Sequence, residues 1–218
     1  MKRNVRFSVK IFNEYLSKLI LEAFLPEDYN ALVLSDAPDL RLNETTGIEV
    51  TRAMLDGEGQ ASGIFEHIRD KEIGDIDPRH LNTIIKIDYQ VRTKNDIVVG
   101  YGPKEAMIIT DAPLKLALSK KADKVLHYNL DTIDLFIFSP GDNWFEEDVV
   151  RDFMNWSIDN GGLVFRQILV CEYSYLYKFE TSRKAFSQIV IDKNKYLQCI
   201  EMAKAYALTQ AGRADISK

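Results

Sequence analysis

Long apolar runs are missing from this sequence: none reaches the roughly 18 residues that a membrane-crossing helix needs. The first residues, Met1-Lys2-Arg3-Asn4, are basic, but the stretch after them is periodic and charged. It has no unbroken apolar segment of the signal-peptide kind, so the expected location is the cytosol, with no membrane partner. Cysteine is scarce. Cys171 and Cys199 sit in apolar segments with no CxxC spacing and no nearby histidine pair, so reduced, buried thiols are expected and a zinc site is not. Histidine is scarce as well, and His67, His80 and His127 are scattered, as surface or packing residues are. Internal repeats and low-complexity tracts are absent. Positive charge is not in excess: the net charge of −5 argues against a protein that coats nucleic acid.

What is present is an ordinary globular composition, 46% hydrophobic and 28% charged, enough for a sizeable core. A length of 218 residues fits one large domain or a domain with an insertion. The charge is uneven. Eight acidic residues lie in 131–159 against Arg151 alone, whereas 113–128 carries Lys115, Lys120, Lys121 and Lys124 against Asp123. The stretch 178–218 is also net basic. Either these charges are dispersed on solvated faces or they form a local basic surface on an acidic molecule.

Phe12, Leu16, Leu19, Ile20 and Ala23 recur at helical spacing and predict a helix over 10–25, followed by Pro26. A strand is expected at 31–34 and a turn at 35–38. Farther on, the signals predict a helix over 113–127 with Asp111 as N-cap, and a buried strand at 134–138. Asn143 and Glu146 form a capping-box pattern for a helix to about 158, stopped by Asn160-Gly161-Gly162. Strands are expected at 164–170 and 174–179, then a helix over 194–210 capped by Asn194, with 211–218 as a mobile end. The stretch 56–111 is mixed. It offers a helix at 64–71, a strand or helix at 84–91, and short strands at 97–99 and 107–109. Trp144, Phe145 and Trp156 read as core rather than base-stacking residues. Tyr173, Tyr175 and Tyr177 line one strand face, for packing, a dimer contact or base stacking. The expected organisation is a single domain over 1–218: a core at about 10–55 and 112–180, an insertion at about 56–111, and a C-terminal helix.

The most informative stretch is 39–54. Leu40 and Leu42 alternate with Asp39 and Arg41, Asn43 to Gly47 carry turn chemistry, and Ile48 and Val50 alternate with Glu49 and Thr51. A hairpin with a five-residue loop pairs Leu42 with Ile48. It puts Leu40, Leu42, Ile48 and Val50 on one face and Asp39, Arg41, Glu49 and Thr51 on the other. Two carboxylates that close repel unless a proton or a cation intervenes. Hard oxygen ligands of this kind suit Mg²⁺.

Pro38-Asp39, followed by Gly47-Ile48-Glu49-Val50-Thr51, resembles the PD-(D/E)xK nuclease superfamily, the restriction-endonuclease-like fold. The resemblance extends to the preceding helix and to the helix and apolar strand of 114–138. It implies an α/β fold: a mixed sheet flanked by helices, with a core of helix, three strands, helix and strand, and here an insertion after the motif hairpin. It implies a divalent-metal-dependent nuclease acting on phosphodiester bonds of DNA or RNA. Asp39, Glu49 and the Val50 carbonyl would hold Mg²⁺ or Mn²⁺. The chain departs at the motif lysine, where Thr51 stands and offers no positive charge. Lys121 interrupts the apolar stripe Leu114, Leu118, Val125 and Tyr128 of the following helix. It either snorkels at the stripe's edge or replaces the missing lysine. Glu22, at the border of the first helix's stripe, is the candidate for the acidic residue that this family often carries there, with Glu14 pointing away. The other expectation is a catalytically inactive nucleic-acid- or protein-binding module on the same fold. Whether the chain forms a homodimer is left open.

Overall fold

A computed structural model describes residues 8–54, 57–104, 110–139 and 145–216, with side chains to residue 211. In chain order the elements are α1 (Val9–Phe24), β1 (Val33–Leu34), β2 (Leu40–Arg41), β3 (Thr46–Arg52), α2 (Glu58–Ile68), α3 (Pro78–Lys86), β4 (Tyr89–Lys94), β5 (Ile97–Pro103), α4 (Ala112–Val125), β6 (Thr132–Phe138), α5 (Glu147–Asp159), β7 (Gln167–Cys171), β8 (Tyr175–Glu180), β9 (Ala185–Val190) and α6 (Lys193–Ile216). They form two compact units: Met1–Ala53 with Leu114–Lys218, and Met54–Pro113. No helix among the described residues is long and apolar enough to cross a membrane.

The larger unit is a mixed α/β structure around a seven-stranded sheet of order β1-β2-β3-β6-β7-β8-β9. β1, β2 and β3 run antiparallel, β3, β6 and β7 are parallel, and β8 and β9 return antiparallel. Central parallel strands are covered on both faces, and β7 is buried along its whole length. On one face Ile48, Val50, Phe136, Phe138, Leu169 and Leu176 pack against Leu16, Ile20 and Leu21 of α1 and Cys199 and Ala203 of α6. Burial holds the Cys171 thiol well above its usual range. Both cysteines are free and buried.

The hairpin differs in register from the sequence expectation. Leu40 pairs with Ile48 and Arg41 with Gly47, so Thr46 and Gly47 belong to β3 rather than to the loop. Asn43 tightens the turn, its Oδ1 accepting from the Thr45 and Thr46 amides at 2.9 and 2.8 Å. The shift is two residues, so the side-chain period of two leaves every residue on its expected face. It sets Asp39 opposite Glu49 rather than opposite Thr51.

Other differences have local causes. β9 escapes the sequence pattern because it is an outer strand with exposed Ser187 and Gln188. α6 begins one residue before Asn194, and Asp192 caps it by accepting the Lys195 amide at 2.8 Å. It also continues beyond 210, to Ile216. α2 starts at Glu58 behind Gly57, whose left-handed φ of 74° suits glycine. The ambiguous 84–91 divides into the end of α3 and the start of β4. Asn143, Trp144 and the strand at 107–109 lie outside the described residues. Tyr177 is buried and packs on Phe186 at 5.8 Å, and Tyr173 packs edge-on against Tyr196 at 5.5 Å.

The smaller unit has its own core of Ala61, Ile68, Ile76, Ile84, Tyr89 and Val98, beneath α2, α3 and the β4–β5 hairpin. Its limits fall at 54 and 113, against the 56 and 111 read from composition.

Candidate functional site

β3 alternates sides along its length. Ile48 and Val50 enter the α1–α6 core, and Glu49 between them points to the opposite face, where it is fully buried. A buried carboxylate needs compensation, and α4 supplies it. Lys121 Nζ lies 2.5 Å from Glu49 Oε2 and 3.3 Å from Asp39 Oδ2. Lys124 Nζ lies 3.0 Å from Glu49 Oε1 and 3.1 Å from Oε2. The Tyr128 hydroxyl donates to Glu49 Oε1, and burial, then Glu49, hold that phenol far above its usual range. Spacings of three and four residues put all three groups on one side of α4 and the turn that follows it. Lys121 is therefore no edge residue: its ammonium bridges the carboxylates of Asp39 and Glu49.

Asp39 is held from another direction. Its Oδ2 accepts the Val50 amide at 2.8 Å. An N–H and C=O of one strand residue leave on the same edge, so the Val50 carbonyl faces the edge on which Asp39 sits. Thr51, half-buried and opposite Ile137, lies two residues beyond Glu49 on the same strand face.

The acidic residue of α1 at this site is Glu14, not Glu22. The Glu14 carboxyl is raised above its ordinary range by burial and then by the negative charge of Asp39 beside it. Lys10 Nζ stands 3.3 Å from Glu14 Oε1, yet this buried oxygen has no hydrogen-bond partner. Glu22 is engaged elsewhere, accepting from Lys18 Nζ at 2.5 Å and from the Leu32 amide at 2.8 Å. The helical stripe misled because α1 has two apolar sides. Ser17, Ile20 and Leu21 form its buried side with Glu14, while α6 covers another, with Tyr15 and Tyr206 stacked at 4.0 Å.

Asp39 and Glu49 thus converge with Lys121, and Lys124 and Tyr128 hold Glu49, while Glu14 stands beside Asp39. Lys124, Tyr128 and Glu14 escape the sequence reading. Lys124 carries a signal, three residues after Lys121, and Tyr128 reads from sequence as a member of the apolar stripe. Asp39, Glu49 and the Val50 carbonyl are hard oxygen donors of the kind a divalent cation takes with the rest of its shell as water. Among the described residues, no three His, Cys, Asp or Glu side chains lie so placed that together they could hold a metal ion. Lysine ammonium groups balance the carboxylates instead.

A second buried acid has a different character. Asp134, opposite Ile48 on β6, accepts from Tyr29 at 2.8 Å and from Arg166 Nη2 and Nε at 2.5 and 3.0 Å. Both its oxygens are bonded, and it ties β6 to the chain after α1, as a structural anchor does. Comparison of the chain with known protein families, curated proteins and solved structures finds no match to any of them.

Proposed function

We propose that the larger unit is a divalent-metal-dependent nuclease of the PD-(D/E)xK kind whose lysine comes from α4. The observation that carries this reading is the Lys121 ammonium, within reach of both Asp39 and Glu49 although it lies 72 residues beyond Glu49 in the chain. The order α1, β1–β3, α4, β6 also supports it, being the helix, three strands, helix and strand of that family with the smaller unit inserted.

Asp39, Glu49 and the Val50 carbonyl would hold Mg²⁺ or Mn²⁺, with Glu14 beside them. When bound, such an ion lowers the pKa of a coordinated water and neutralises charge on the phosphate. The chain's own residues do the rest. Lys121 presents a fixed positive charge to the phosphate oxygen on which negative charge develops, a role that Thr51 cannot fill. Lys124 holds the Glu49 carboxyl in place. Tyr128 fixes the rotamer of the same carboxylate.

One observation favours a second reading, an inactive nucleic-acid- or protein-binding module. Both oxygens of Glu49 are already bonded by Lys121, Lys124 and Tyr128, as in a permanent structural cluster. Mn²⁺ titration and a panel of DNA and RNA substrates separate the two. For a nuclease, Asp39→Ala and Glu49→Ala lose both metal binding and cleavage. Lys121→Ala keeps the metal and loses about 100-fold or more in rate. A parent protein that binds Mn²⁺ and cleaves nothing leaves the module; one that binds no divalent ion ends the nuclease proposal.

A further inference from the structure

The smaller unit has a surface that the proposed hydrolytic site leaves unused. Backbone bonds Asp70 N to Val98 O, Val98 N to Lys71 O and Ile73 N to Asp96 O tie the segment after α2 to β5. Glu72 and Ile97 form an isolated bridge there. After this segment come α3 and then, with only Ile87 and Asp88 between, the β4–β5 hairpin. The hairpin closes through Asn95 and Asp96, both at positive φ (51° and 61°), the conformation a two-residue turn demands. A helix and a two-stranded ribbon therefore pack on one small core.

The outer face of α3 is chemically selective. At 100° per residue, Pro78, Arg79, Asn82, Ile85 and Lys86 fall within an arc of about 120°. All five are exposed or half-exposed, whereas Ile84 on the opposite side is fully buried. Arg and Asn are the side chains that bond bidentately to the major-groove edges of guanine and adenine, and an apolar side chain meets the thymine methyl. That last role gives Ile85, 51% exposed, a reason to face solvent. The hairpin adds Arg92 and Lys94, both exposed. The guanidinium of Arg92 lies over Gly102, where a Cβ would come within 2.7 Å of Nη2.

Charge is segregated in the same sense. From Asp77 to Lys104 the unit carries Arg79, Lys86, Arg92, Lys94 and Lys104 against Asp77, Asp88 and Asp96. Asp77 and Arg79 neutralise each other at 2.6 Å, with Arg79 Nε and Nη2 both donating, so a duplex would have to take Arg79 from Asp77, and Lys104 stands 3.9 Å from Asp88. The rest of the unit is net acidic, with Asp56, Glu58, Glu66, Asp70, Glu72, Asp75, Glu105 and Asp111 against Arg69 and Lys71. A basic helix and ribbon on an acidic protein is a local complement to a polyanion whose groove admits just these two shapes.

We propose that the smaller unit binds double-stranded DNA, with α3 in the major groove and the β4–β5 hairpin against the flanking backbone. The inference stands without the hydrolytic reading; where both hold, it names duplex DNA as the polymer presented for cleavage.

The test is fluorescence anisotropy of the full chain with a labelled random-sequence duplex of about 30 base pairs, in EDTA and at about 50 mM salt, where phosphate contacts are strong. EDTA separates binding from any metal-dependent hydrolysis, so a failed nuclease proposal does not disturb the result. Arg79→Ala/Lys86→Ala and Asn82→Asp should each weaken binding by about tenfold or more, and Lys94→Ala by a few-fold with a shallower salt slope. These groups lie on the surface, so thermal melting should match the parent. Arg183→Ala/Lys204→Ala, which removes as much charge from the larger unit, should change binding less than about twofold. No binding to the duplex, an equal loss in the control pair, α3 variants that bind like the parent, or tighter binding to single strands or RNA would each overturn the proposal.

Discussion

Glu14 and Glu22 are two turns apart on α1, and their surroundings assign them opposite roles. Glu22 is bonded by a lysine and a backbone amide, and no site residue lies among those partners. Glu14 shares a buried environment with Asp39 and has an oxygen that lacks a hydrogen bond. Burial first and Asp39 second raise the Glu14 carboxyl, and a cation held by Asp39 would relieve the second, so the two are thermodynamically linked. Glu14→Gln should weaken Mn²⁺ binding by about tenfold, the usual effect of losing a residue that supports metal ligands. Glu22→Gln should leave it within about twofold. Isothermal titration of the two variants decides the matter, and equal affinities would remove Glu14 from the site. The sequence does not contain this distinction. Helical periodicity finds the centre of one apolar stripe, and α1 presents two, so its central direction falls between the sheet and α6.

At the scale of elements, the hairpin and α4 make the site, and one close approach controls their fit. A Cβ on Gly47 would collide with the Cγ of Pro38, the residue before Asp39, and would lie 2.9 Å from Leu130 Cδ1. Gly47 is therefore needed for space, where β3 passes the segment that carries Asp39. Gly47→Ala should destabilise by about 1–3 kcal/mol, the range for overpacking, and displace Asp39 from Val50. Pro38→Ala in the same chain removes the colliding atom and should recover part of that loss. A double-mutant cycle by urea unfolding measures the coupling; additive effects would mean that the two residues do not meet. The hairpin is legible because alternation and turn chemistry are local signals, and a register error of two keeps the faces. Lys121 is legible because it breaks an apolar stripe. β9 is not, because half-exposed outer strands show neither alternation nor a buried run.

For the whole molecule, composition and periodicity are enough for a mixed sheet flanked by helices and for an inserted stretch, because both depend on which segments are apolar and how regularly. They cannot reveal which polar groups end up buried, since that depends on chain segments far apart. Glu172 is such a group. It lies at the end of β7, 4% exposed, accepting the Phe145 amide at 2.7 Å. Burial pushes its carboxyl up to about 7 from an ordinary 4.5, against the pull of that hydrogen bond. An acid whose folded pKa is raised keeps its proton where the unfolded chain has lost it. Its stabilising contribution is complete below about pH 4.5 and is lost as pH rises through about 7. The change across that window is about 3 kcal/mol by linkage. Glu14 shifts in the same direction but is common to parent and variant. Glu172→Gln, which keeps an acceptor for Phe145 and cannot ionise, should therefore gain on the parent as pH rises. Urea unfolding of both proteins at about pH 4.5 and about pH 7.5, on either side of that window, makes the comparison. A stability difference that widens toward the higher pH in favour of the variant supports a carboxylate forced into an apolar site, whereas parallel profiles would mean that Glu172 ionises freely in the folded protein.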